Sequence, residues 1–162
     1  MKFQTGGKRA PWLTLIAGSA TAVDYIAGVG RQSDPGAKTR REALAAAYRT
    51  TVSYERRLIA TLIEGLQTIA GIRIYGITDR RRFGERCSTL SVRIGDHPPK
   101  QIAEFLAMRG IFTWDGNYYA LNLTERLQVE LKGGMLRIGL VHYNTIEEVD
   151  RLLAALREFA SQ

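Results

Sequence analysis

One cysteine, two histidines and four prolines in 162 residues leave little material for several common chemistries. Cys87 stands alone, so the chain forms no internal disulfide and no cysteine-type zinc site. That fits a reducing compartment, and the expected location is the cytoplasm. Cys87 itself is expected to be a small buried residue rather than a reactive thiol. His97 falls in a turn ahead of Pro98 and Pro99, and His142 closes an apolar segment. The two have no metal-ligand spacing, and no carboxylates gather around either, so no metal is expected. A phosphate loop ending in Gly-Lys-Ser/Thr is lacking, as is a glycine-flanked serine elbow. Long hydrophobic runs are lacking too. The apolar stretch Leu13 to Ala22 is too short to span a bilayer and is interrupted by small and polar residues, so no membrane is expected.

What is present is ordinary globular material: 45% hydrophobic and 24% charged residues, with a formal net charge of +7. A basic balance raises the question of nucleic acid. The arginines are spread over several elements and interleave with glutamates, so a solvated surface is the expectation and nucleic-acid binding is not. The densest group, Arg80, Arg81, Arg82 and Arg86, lies between two expected strands and reads as an exposed loop.

Along the chain, the glycine-rich, basic opening reads as an arm. Leu13 to Val29 has helical spacing, with Gly28 and Gly30 placed to end it. Residues 31–38 are a polar break, and Thr39 can cap a long helix from Arg40 to about Ala70. Leu58, Leu62, Leu66 and Ile69 make one apolar stripe on it. Ile72 to Tyr75 and the Leu90–Val92–Ile94 alternation predict strands. A helix over Lys100 to Arg109 follows, then a short strand Ile111 to Trp114 and a short helix Asn117 to Leu127. Gly133 and Gly134 turn into a strand from Leu136 to Tyr143. Thr145 and Glu148 form a capping box ahead of a terminal helix with a stripe of Ile146, Val149, Leu152, Leu153, Leu156 and Phe159. The expected fold class is α+β: a small, mostly antiparallel sheet with helices on one face. The expected division is residues 1–38, an arm and helix, and residues 39–162, the long helix and the small domain.

Arg137 is the residue with the most chemistry to offer. Alternation sets it opposite the apolar Leu136 and Ile138. From spacing alone it is either a surface arginine or a cleft arginine able to grip a planar carboxylate with two hydrogen bonds.

The segment Leu136 to Leu156, LRIGLVHYNTIEEVDRLLAAL, resembles the end of class V aminotransferases and cysteine desulfurases, where an arginine-bearing strand leads into Tyr-Asn-Thr and a Glu-Glu-Val-Asp helix. Arg109 to Leu121, RGIFTWDGNYYAL, is similar to the strand and loop before that arm in the desulfurase-like subgroup. Lys2 to Gly7 and Ile16 to Gly30 resemble the end of the family's large domain. The resemblance implies a fold-type I enzyme acting on an amino acid with pyridoxal phosphate, as a homodimer. In it this chain would be the carboxy-terminal portion: a small domain preceded by helices connecting to a large domain the chain does not contain.

By the same resemblance Arg137 binds the substrate carboxylate. Asn117, Tyr118 and Tyr119 line the substrate side if their loop folds over the cleft; the alternative for Tyr118 and Tyr119 is packing of the short helix on the sheet. Gly6 and Gly7 stand where the family's Gly-Thr loop meets the cofactor phosphate of the partner subunit, without the threonine hydroxyl. Lys2, Lys8, Lys38, Lys100 and Lys132 do not match the family's cofactor-binding lysine motif. The loop 115–119 carries no cysteine where desulfurases keep their nucleophile, so no catalytic residue is expected in this chain. The competing expectation is a truncated or standalone basic α+β domain that binds protein or RNA and catalyses nothing.

Overall fold

A computed structural model describes residues 10–162. The chain divides into two compact units, Met1–Thr51 and Val52–Gln162. The expected boundary after residue 38 falls inside the first of them.

The first unit pairs two helices. Helix α1, Ala10–Ser33, runs straight through Gly28 and Gly30, which were expected to stop it. Gly30 is there for packing instead. A side chain at that position would stand 1.7 Å from the Ala43 carbonyl oxygen, so only glycine lets the backbones approach this closely. Ala27, Ala43, Ala46 and Ala47 are buried around that contact. Leu15 and Ile16, part of the expected helical pattern, are exposed. Helix α2, Arg40–Gln67, starts at a reciprocal cap. The Glu42 amide donates to the Thr39 hydroxyl (3.2 Å), and the Thr39 amide donates to the Glu42 carboxylate (2.9 Å).

The second unit holds the sheet. Strands β1 (Ile72–Tyr75), β2 (Thr89–Ile94), β3 (Trp114–Gly116) and β4 (Met135–Gly139) lie in the order β1-β2-β4-β3, and each neighbouring pair is antiparallel. Leu90, Val92, Ile94, Leu136 and Ile138 face the core. The later part of α2 covers them with Leu58, Ile59, Leu62, Ile63 and Leu66, and Ile69 just beyond its end joins them. Helices α3 (Pro99–Ala107) and α5 (Ile146–Ala160) complete the layer through Ile102, Leu106, Val149, Leu152, Leu153 and Leu156. The expected α+β architecture is therefore what forms, with the later part of α2, α3 and α5 on one face of the sheet. The short helix α4, Leu121–Arg126, borders the other face.

Three element bounds differ from the sequence expectation in ways that local hydrogen bonding explains. After α3 the Ile111 amide returns to the Leu106 carbonyl (3.0 Å), so β3 begins only at Trp114. The Asn117 side chain accepts from the Tyr119 amide (3.2 Å), which delays α4 to Leu121. The Asn144 side chain takes the Val141 amide (2.9 Å) and turns the chain, so β4 ends at Gly139 rather than Tyr143. Ile146 leads α5 on its solvent side and is 38% exposed, outside the stripe it was expected to head. The arginine-rich loop contains a 3₁₀ turn, Arg80–Glu85, anchored by buried Phe83. Its charges are mostly satisfied by Glu64, Asp79, Glu85 and backbone carbonyls.

Gly30→Ala should lower stability by about 1–3 kcal/mol or more, because the added methyl meets backbone that cannot move aside. Gly28→Ala, in open helical surface, should gain about 0.5–1 kcal/mol. Urea unfolding of the two variants followed by circular dichroism separates them; equal midpoints would refute the packing role of Gly30.

Candidate functional site

The pleat of β4 determines where Arg137 can be. Leu136 and Ile138 are buried, and Arg137 between them projects from the opposite face of the sheet, exposed. Its neighbours across the ladder are Ser91 on β2 and Trp114 on β3. Tyr75 on β1 continues that row beyond Ser91. Among the described residues no carboxylate pairs with Arg137. Its recorded contact is the ring of Tyr118, with the guanidinium carbon 5.9 Å from the ring centroid.

Arg137 lines a concavity of about 530 Å³ together with Tyr75, Cys87, Ser91, Tyr118 and Leu127. Tyr118 is pinned there twice. Its hydroxyl donates to the Met135 carbonyl, and its backbone has a left-handed φ of 54°. Tyr119 follows at φ 63°, so two consecutive non-glycine residues hold a sparsely populated conformation. Burial pushes the Tyr118 phenol above the usual tyrosine range, and the Asp115 charge adds to this. A hydrogen bond with Ser91 and the charge of Arg137 act the other way.

The other loop residues sit differently. Asn117 donates to Glu130 (3.0 Å) and lines an adjacent concavity of about 360 Å³ with Tyr119, Glu130 and Gly134. Tyr118 lines both concavities, and the Tyr119 side chain is fully exposed. The loop is seated by a close backbone approach: at Gly134, φ 77°, a side chain would stand 2.2 Å from the Gly116 carbonyl oxygen. Gly6 and Gly7 lie outside the described residues.

Cys87 corrects the expectation made for it. It is exposed, two residues before β2, and its thiol lines the same concavity as Arg137. The apolar-polar alternation began too late in sequence to bury it. Two further residues escaped the sequence reading. Tyr75 and Ser91 carry no motif, and only the strand register brings them beside Arg137. Among the described residues no group of metal-ligating side chains occurs, and no helix is long and apolar enough to cross a membrane.

Comparison with known proteins gives the family and the fold. The family model for class-V aminotransferases matches residues 42–152, well over half the chain. A cysteine desulfurase of Cronobacter sakazakii is 35% identical over 103 residues, covering 64% of this chain and 23% of that protein. A cysteine desulfurase of Serratia proteamaculans is 28% identical over 156 residues, covering 96% of this chain and 31% of that protein. The apo cysteine desulfurase of Thermococcus onnurineus NA1 superimposes with a TM-score of 0.62 at 23% identity, over 74% of this chain and 30% of that one. The cysteine desulfurase CsdA of Escherichia coli gives a TM-score of 0.57 at 25% identity, over 72% and 29%. The chain thus spans about a quarter to a third of the length of the curated relatives it matches. It belongs to the class-V aminotransferase family.

Proposed function

We propose that this chain supplies the substrate-carboxylate side of an amino-acid-transforming site of the cysteine desulfurase and class-V aminotransferase kind, with Arg137 as the carboxylate ligand. The observation that carries the reading is an exposed arginine in a concavity, with no acid of its own to neutralise it. A guanidinium in that state is a fork of donors matched to a planar carboxylate. Two parallel hydrogen bonds would fix the orientation of the amino acid as well as hold it. Tyr118 acts as the floor under the guanidinium, restricting its rotamers before substrate arrives. Asn117 and Tyr119 belong to the same proposal as the loop that presents Tyr118, with Asn117 tied to Glu130. A homodimer formed by the longer enzyme is part of this reading.

Enzymes of this family depend on pyridoxal phosphate, which supplies an electron sink for the substrate carbanion when bound. The described residues do not make a site for it. Lys100 faces Glu104 at 3.8 Å, Lys132 pairs with Asp96 at 2.9 Å, and no lysine lines the Arg137 concavity. In this reading the amine that meets the cofactor aldehyde would come from the large domain of the longer enzyme. What this stretch does is bind and orient.

A saturable nuclear magnetic resonance titration with L-cysteine or L-alanine, read at the backbone amides of Ser91 and Tyr118 beside Arg137, is the direct test. Arg137→Gln should abolish it, and a shift that survives the substitution would sink the proposal. In a chimera with the cofactor-bearing region of a curated relative, Arg137→Ala should cost on the order of 2–4 kcal/mol in kcat/KM, most of it through KM. An unchanged kcat/KM would remove Arg137 from the site.

Tyr118 gives an independent check through pH. Its folded pKa is raised, so folding is favoured while the phenol stays protonated. That contribution is fully present below the unfolded tyrosine value near 10 and is lost as pH rises through the folded one. Absorbance titration should show one late-ionising phenol in the folded chain, and Tyr118→Phe should remove that step. A titration with no late step would contradict the buried setting of the hydroxyl.

A further inference from the structure

The same open face of the sheet carries a second cationic cluster, one row away from Arg137. Arg73 on β1 and Arg93 on β2 are direct cross-strand partners. Like charges placed opposite each other on a ladder repel, and such a pair is held at a cost unless something neutralises it. Arg93 is only 4% exposed. Its guanidinium donates to three backbone carbonyls: Gly134 at 2.6 Å, Lys132 at 3.1 Å and His97 at 3.3 Å. Carbonyl dipoles satisfy its N–H groups but leave the net charge in place. Arg73 is exposed and lies 5.0 Å from the Tyr75 ring centroid.

Both arginines line a concavity of about 310 Å³ with Lys132, Asp96, Gly95 and Gln128. One carboxylate faces the three cations. Asp96 pairs with Lys132 at 2.9 Å, and its carboxyl is held below the usual range first by Lys132 and, more weakly, by Arg93. That leaves two guanidinium charges over one small hollow. Gln128 borders it in a left-handed conformation, φ 57°, with the Gly95 backbone on the other side at φ 48°. Tyr75 and Leu127 form walls common to this hollow and to the one that holds Arg137.

We propose that Arg73, Arg93 and Lys132 form a second anion site that takes a small oxyanion, a carboxylate or a phosphate. The cross-strand arginines provide the charge, Lys132 provides a mobile donor, and the hollow has room for a group of that size. The site stands whether or not Arg137 binds a substrate carboxylate. Two sources share this chemistry: a free oxyanion, and the far end of a ligand whose other carboxylate reaches Arg137.

The test is a nuclear magnetic resonance titration of the full chain with inorganic phosphate and, separately, with succinate, read at the amides of Gly95 and Gln128. Saturable shifts are expected, weakened about tenfold by Arg73→Gln, an exposed substitution that spares the fold. Asp96→Asn removes the one opposing carboxylate and should tighten binding, which a purely structural cluster would not do. Phosphate affinity indifferent to Arg137→Gln identifies a free oxyanion. Succinate affinity that falls in both Arg73→Gln and Arg137→Gln identifies a ligand bridging the two hollows. The proposal is overturned if neither ion gives a saturable shift, or if Arg73→Gln and Asp96→Asn leave the affinity where it was.

Discussion

The register between β2 and β4 is the constraint on which the candidate site depends. Leu90 opposes Ile138 and Val92 opposes Leu136, so the apolar sets of both strands meet on the core face. Ser91 then necessarily opposes Arg137 on the other face. A slip of one residue would drive the guanidinium under α2 and α5 and lift two aliphatic side chains into water. Burial of Leu136 and Val92, both with no exposed surface, is thus what keeps Arg137 available. Core packing and the exposure of Arg137 are the two sides of one strand pairing.

The loop after β3 is built on the opposite principle. It is held by strain and hydrogen bonds rather than by apolar burial. Tyr118 and Tyr119 occupy left-handed backbone, Asn117 bridges to Glu130, and the Thr124 hydroxyl donates to the same Glu130 carboxylate. The backbone contact between Gly134 and Gly116 leaves no space for a side chain. Such a loop costs energy, and it holds a tyrosine ring next to Arg137. The buried Arg93 serves the same region by gathering three carbonyls from the segments that flank it. One open sheet face therefore carries three arginines in two hollows, each with a different degree of freedom.

Much of this was legible in the residues. The stripe Leu58–Leu62–Leu66–Ile69, the cap at Thr39, the capping box at Thr145 and the alternation around Arg137 each rest on interactions within a few positions of chain. Those signals are local, so they survive in one dimension. The misplaced bounds of β3, α4 and β4 have a local cause as well, but one that periodicity does not encode: a backbone hydrogen bond from Ile111 to Leu106 for β3, and asparagine side chains capturing backbone amides for α4 and β4. Gly30 misled for another reason. A glycine that ends a helix and a glycine that admits a neighbouring backbone look alike until the neighbour, Ala43, is known.

Neighbouring residues were enough to read the main helices and strands, the apolar faces of α5 and the central strands, and the family to which the Arg137 segment is related. Periodicity, capping chemistry and motif order are all properties of neighbouring residues. Only the tertiary structure decided that Tyr75, Cys87, Ser91 and Tyr118 share a hollow with Arg137, and that Arg73 and Arg93 stand side by side. Those meetings join strands far apart in the chain. Strand order and register create them, and both follow from burying one common core rather than from any short-range preference.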